Sequence, residues 1–133
     1  MMNASQESAP WVVGRRVVVV DDDGELCDAF EDILREAGHD VVCFSNGERA
    51  LKYLRIARRP DVVLLDLSMP VMDGREFIQE FQKHQELAGV PVLMITASQA
   101  PDGYPVPAER VIHKPFRVPS LLGLIESVTA DRA

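Results

Sequence analysis

The feature that most constrains this chain is an alternation between short runs of β-branched residues and stretches of helical periodicity. The runs are Val17 to Val20, Val41 to Phe44, Val62 to Leu65, Val92 to Ile95 and a weaker Val111-Ile112. They are apolar almost throughout, without the in-and-out alternation of a sheet that has one wet face. Strands of this kind are expected to be covered on both faces, as in a parallel sheet. Between the runs, Leu26, Phe30, Ile33, Leu34 and Ala37 recur at helical spacing and stop at Gly38, which suits a helix C-terminus. Ser45-Asn46-Gly47-Glu48 has the form of a capping box and opens a second helix through Leu51 and Leu54. Asp73 can cap a third, carrying Phe77, Ile78 and Phe81, and a last helix sets Leu121, Leu122, Ile125 and Val128 on one stripe. Strands joined by crossover helices give a doubly wound α/β sheet with helices on both faces.

The fourth crossover breaks the pattern. Ser98 to Arg110 carries Pro101, Gly103, Pro105 and Pro107, each hostile to a helix interior, so a loop or at most one turn is expected there. Residues 1–14 read as a flexible tail in which Trp11 packs against the domain edge, and residues 15–133 read as one domain. A chain of 133 residues has no room for a second output domain.

The formal net charge of −7 argues against binding nucleic acid or acidic lipid by bulk attraction, and basic partner surfaces suit it better. Arg55, Arg58 and Arg59 form the one dense positive cluster and read as a solvated helix end. No apolar run approaches the roughly 20 residues of a membrane span, and no secretory leader is recognisable. Cys27 and Cys43 are the only cysteines, without metal-ligand spacing. They are expected to be unpaired small hydrophobes in a reducing, cytoplasmic setting.

The strand ends carry the chemistry. The first run stops at three consecutive acids, Asp21, Asp22 and Asp23. At about 4 Å and an effective dielectric near 20, each pair of carboxylates repels by roughly 4 kcal/mol, so something must compensate. In open α/β sheets, ligands gather at the carboxyl ends of the strands. Asp21 and Asp22 follow the first strand, Asp66 the third, Thr96 the fourth and Lys114 the fifth. Converging carboxylates suit a hard divalent cation such as Mg2+. A neighbouring ammonium and hydroxyl suit an oxyanion. Together they favour phosphoryl transfer. Asp23 reads as the N-cap of the first helix, and His113 as structural or exposed.

The motifs VVVVDDD, VVLLDLSMPVMDG, VLMITAS and HKPF, in this order and context, resemble those of the receiver (CheY-like) domain of bacterial two-component response regulators, over about Arg15 to Val128. The resemblance implies a flavodoxin-like sheet of five parallel strands in the order 2-1-3-4-5, here with a shortened or missing fourth helix. Asp66 resembles the phospho-acceptor that takes a phosphoryl group from a histidine kinase or a histidine phosphotransfer protein. Asp22 resembles the acid that binds Mg2+ directly, Asp21 the one acting through a water, and the Ser68 backbone carbonyl a further ligand. Thr96 resembles the switch hydroxyl and Lys114 the phosphate-pairing lysine, followed by a proline step that is usually cis. Pro70 and Gly74 match the loop after the acceptor. The implied role is a single-domain regulator that signals by protein contact and is not an enzyme beyond its own phosphotransfer and autodephosphorylation.

Two departures fall on the output side. Val111 stands where many receivers carry a switching aromatic, and the proline-rich crossover lies on the same face. Phosphorylation is therefore expected to be read through Ser98 to Arg110, or passed on without a large shape change. Small residues at Ser68 and Ser98 imply a phosphoryl lifetime that is not exceptionally long. The competing classes are an adaptor acting independently of phosphorylation and an aspartyl-nucleophile phosphatase of the haloacid-dehalogenase type. The latter wants a second Asp two residues after the nucleophile, where this chain has Ser68. Neither GxGxxG nor GxxxxGK[ST] occurs, which speaks against a nucleotide-binding enzyme.

Overall fold

The computed structural model describes residues 14–66, 74–96 and 110–130. The strands are β1 (Arg16–Val20), β2 (Asp40–Phe44), β3 (Val62–Asp66), β4 (Val92–Thr96) and β5 (Val111–His113). They form one sheet in the order β2-β1-β3-β4-β5, and every pairing is parallel. The α-helices among the described residues are α1 (Gly24–Glu36), α2 (Gly47–Ile56), α3 (Gly74–Gln82) and α4 (Val118–Thr129). None of them is long and apolar enough to cross a membrane.

Alternate residues of each strand feed two separate apolar layers, as the two-residue period of a strand requires. Val18, Val20, Val63, Leu65 and Met94 pack with Leu51 and Leu54 of α2 and with Phe77, Ile78 and Phe81 of α3. Val17, Val19, Val62, Leu64, Leu93 and Ile95 pack with Phe30 and Leu34 of α1 and with Leu121 and Ile125 of α4. Phe30 also stacks on Phe116, with ring centroids 5.5 Å apart. The apolar continuity of the valine runs is thus explained by burial on both sides.

The helix ends are set by single residues. Asp23 caps α1, its carboxylate accepting from the N–H groups of Glu25 and Leu26. Gly38, at φ 96°, ends α1, with its own N–H bonded to the Arg35 carbonyl and the next N–H to the Leu34 carbonyl. In α2 the cap is Asn46 and not Ser45: its side-chain oxygen accepts from the Arg49 N–H at 2.9 Å. An amide one residue later reaches the same orphan donors that a serine cap would satisfy, so pattern alone placed the boundary one residue early.

Three further expectations meet different outcomes. Arg55, Arg58 and Arg59 are exposed as expected, and Arg59 in addition donates its guanidinium to the carbonyls of Glu86 and Ala88 at 2.7 Å each and holds the 3-10 turn Gln85–Leu87. Cys27 and Cys43 are not unpaired: they form a disulfide between α1 and β2, with Cα atoms 6.1 Å apart. The crossover helix packs over β1 and β2 and so brings together two residues 16 apart in sequence. The tail, Trp11, Asp73 and the crossover from Ser98 to Glu109 lie outside the described residues.

His39, directly after the α1 stop, is buried, and its Nδ1 accepts from the Arg15 N–H at 2.9 Å. Burial holds this imidazole below its ordinary pKa; Arg15 adds to the shift, while Glu126 and Asp61 oppose it. The folded state therefore keeps His39 neutral where the unfolded chain binds a proton. Stability is expected to fall as pH drops below about 6.5, by at most about 1.4 kcal/mol per pH unit for one proton. Urea midpoints at descending pH would show this slope, and His39→Asn, which retains an acceptor, should flatten it.

Candidate functional site

The carboxyl edge of the sheet assembles the site from four strands. Asp21 lies one residue beyond β1, yet its backbone stays in the sheet, because its N–H donates to the Phe44 carbonyl of β2 at 3.0 Å. Its carboxylate is delivered to the rim on a fixed main chain. Oδ1 accepts from the Asp23 N–H at 2.9 Å, whereas Oδ2 is buried and has no hydrogen-bond partner. Burial pushes the Asp21 carboxyl above its ordinary pKa. The Asp23 N–H and Lys114 pull it back, and the charges of Asp22 and Asp23 raise it further.

Asp66, the last residue of β3, is buried, and Asp22 is exposed. Carboxylate oxygens of Asp21, Asp22 and Asp66 lie within 4.8 Å of one another. Lys114 follows β5, where its N–H donates to the Thr96 carbonyl at 2.7 Å and extends the ladder past the strand. Its ammonium stands 3.8 Å from Asp21 Oδ2 and 3.8 Å from Asp66 Oδ1. The Lys114–Pro115 peptide is cis. Thr96 ends β4, buried, on the same edge.

Five sequence-predicted residues thus share one rim, and three acids and the lysine are in direct electrostatic reach of one another. Ser68 and Pro70 lie outside the described residues. Asp23 is turned away as a helix cap, which resolves the run of three acids into two rim carboxylates and one structural one. Sequence reasoning missed the sulfur at this edge: Cys27 Sγ sits 3.3 Å from the Asp21 carbonyl oxygen. The signal was present only in the register, which sets Cys43 beside Val19, two residues before Asp21.

The donor set fits a hard divalent cation. One lysine faces several carboxylates, and an acid oxygen buried without a hydrogen bond is a group that a cation would satisfy. The metal-free protein carries a cost here. Asp21→Asn, which keeps the acceptor for the Asp23 N–H, is expected to raise the Tm in EDTA by roughly 2–6 °C, about what 1 kcal/mol produces in a domain of this size. The sign follows from the raised pKa: the charged form is the one the fold disfavours at neutral pH. Thermal melts in EDTA and in magnesium would test it, the variant losing the magnesium-dependent rise of the wild type.

The response regulator receiver domain family matches residues 17–126. This chain belongs to that family. Receivers are modules of two-component systems, pair with sensor histidine kinases and typically bind Mg2+. Among solved structures, the receiver is similar to the chemotaxis protein CheY4 of Vibrio cholerae, with 28% identity and a TM-score of 0.79 over 87% of this chain and 99% of that one. It shares its fold with the receiver domain of a sensor histidine kinase from Pseudomonas aeruginosa, solved with magnesium coordinated in the active-site cleft. There the identity is 22% and the TM-score 0.78, over 90% of this chain and all of that one. The receiver domain of a Francisella response regulator likewise shares the fold, at 22% identity and a TM-score of 0.76 over 90% of this chain and 100% of that one.

Proposed function

We propose that this receiver takes a phosphoryl group onto Asp66 from the phosphohistidine of a sensor histidine kinase or histidine phosphotransfer protein, with Mg2+ as cofactor. It then signals by protein contact as a single-domain regulator. The observation that carries this reading is the convergence of Asp21, Asp22 and Asp66, with Lys114 Nζ 3.8 Å from two of them.

A carboxylate oxygen of Asp66 forms the new O–P bond while the P–N bond to the donor imidazole breaks, and the ring, protonated on its other nitrogen, takes the bonding pair and leaves as neutral imidazole. Asp21, Asp22 and Asp66 would hold magnesium, which when bound supplies positive charge against the phosphoryl oxygens. Lys114 offers its ammonium to the same developing charge and the Thr96 hydroxyl a hydrogen bond. The rigid edge of a sheet buried on both faces keeps these groups positioned before the donor arrives. The protein turns over no free substrate beyond its own acyl phosphate. The net charge of −7 favours a protein target over direct contact with nucleic acid. A cytoplasmic location goes with a kinase partner.

Incubation with acetyl phosphate and Mg2+, followed by intact mass measurement, tests the reading. One hydroxylamine-labile phosphoryl group that EDTA prevents is the expected product. A chain that stays unlabelled would be the phosphorylation-independent adaptor, and steady hydrolysis of small phosphoesters would make it a phosphatase.

A further inference from the structure

We propose that Cys27 and Cys43 form a reversible thiol–disulfide site that controls the order of the Asp21–Asp23 turn, with a disulfide oxidant of the glutathione type as its co-substrate. The coupling to cation binding rests on the metal-site reading above.

The sulfurs grip this turn from both sides. Cys27 stands in the first turns of α1, its N–H bonded to the Asp23 carbonyl at 2.9 Å and its Sγ 3.3 Å from the Asp21 carbonyl oxygen. Cys43 pairs with Val19 in the parallel register, next to Phe44, whose carbonyl accepts the Asp21 N–H at 3.0 Å. The bridge therefore fastens the helix after the acids to the strand that holds the first of them. Both cysteines are partly buried at the margin of the α1–α4 layer and not in the deep core.

The two redox states differ at one atom of the site. In the bridge, Cys27 Sγ has no proton and only touches the Asp21 carbonyl. Once reduced, the thiol gains an acceptor there but α1 loses its covalent tie to β2, keeping the Arg35 hydrogen bond to the Val41 carbonyl. Closure proceeds by exchange: a Cys thiolate attacks the oxidant's disulfide, and the second protein sulfur displaces the remaining glutathione thiolate. The two protein thiols lose two electrons and two protons, and one oxidised glutathione becomes two glutathione thiols. In a compartment that keeps thiols reduced, bridges of this kind are transient and responsive rather than structural.

The test uses the whole chain equilibrated in buffers of varied reduced-to-oxidised glutathione ratio. Thiol alkylation with mass measurement reports the bridge, and amide hydrogen exchange over residues 21–27 reports the turn. Reversible conversion between two thiols and one bridge is expected, with exchange at least about fivefold slower in the bridged form. Magnesium affinity, by calorimetry, should be at least about threefold tighter when bridged, because less of the population must be ordered on binding. Cys27→Ser with Cys43→Ser should match the reduced wild type in every buffer. If that variant does not fold, the comparison of reduced and bridged wild type decides alone. Thiols that stay free or retain glutathione in every buffer would overturn the proposal, as would a bridge that leaves exchange over 21–27 unchanged. A chain that closes the bridge and protects these amides but binds no magnesium in either state would overturn the metal-site reading and its coupling, while supporting the thiol site.

Discussion

Asp66→Asn will lower acyl-phosphate formation from acetyl phosphate by at least about 10³-fold, to the level of uncatalysed background. The reason is chemical before it is structural. An amide oxygen is a far weaker nucleophile than a carboxylate, and the substitution also removes one of the three oxygens that converge within 4.8 Å. The fold should tolerate the change, since Asn has the shape of Asp and the variant relieves repulsion among buried and rim acids. Intact mass after incubation with acetyl phosphate and Mg2+, with a melting curve on the same sample, separates lost chemistry from lost structure. A folded variant that still gains a phosphoryl group at the wild-type rate would place the nucleophile elsewhere.

The second large effect has two opposite parts. Lys114→Met, which keeps most of the stem, should slow phosphorylation by about 10²- to 10³-fold, the usual consequence of removing one charged donor from a transferring oxyanion. The same change should tighten Mg2+ several-fold. Lys114 Nζ stands 3.8 Å from oxygens of both Asp21 and Asp66, so it competes with the cation for their charge. The ammonium is partly exposed, and solvent screening keeps this gain modest. Calorimetry of Mg2+ binding beside the rate of acetyl phosphate labelling reads both. A variant that lost affinity and rate together would show that Lys114 holds the acids in place instead of serving the phosphoryl group.

The fold was legible because its strongest signal is local. Short β-branched runs without alternation fit strands covered on both faces, as β1, β3 and β4 are, and the runs at Val17, Val41, Val62, Val92 and Val111 begin within one residue of β1 to β5, with β2 and β5 at the sheet edges. The rim was legible for the same reason: once the strands are parallel, their last residues must share an edge, and Asp21, Asp66, Thr96 and Lys114 do. Contacts that depend on register or on side-chain reach were not legible. The Cys27–Cys43 bridge needs the pitch of α1 over β2, Arg59 needs the path of the 3-10 turn, and the buried His39 needs the neighbouring main chain of Arg15. The Asn46 cap turned on one residue of helix boundary, which hydrophobic spacing does not resolve. Val111, by contrast, is a plain strand residue half-buried against the α2–α3 layer, where a valine fills its place without rotating.

The last three residues of β3 face three different surroundings: Leu64 belongs to the α1–α4 layer, Leu65 to the α2–α3 layer, and Asp66 to the rim. The outer faces of those helices can therefore differ without touching Asp66, although α1 reaches Asp21 through the Asp23 N–H and Cys27 Sγ. Conversely, any displacement of that strand tip is handed to both outer surfaces at once. Phosphorylation of Asp66, as proposed above, would thus be felt on both flanks of the sheet, and a partner could bind on either.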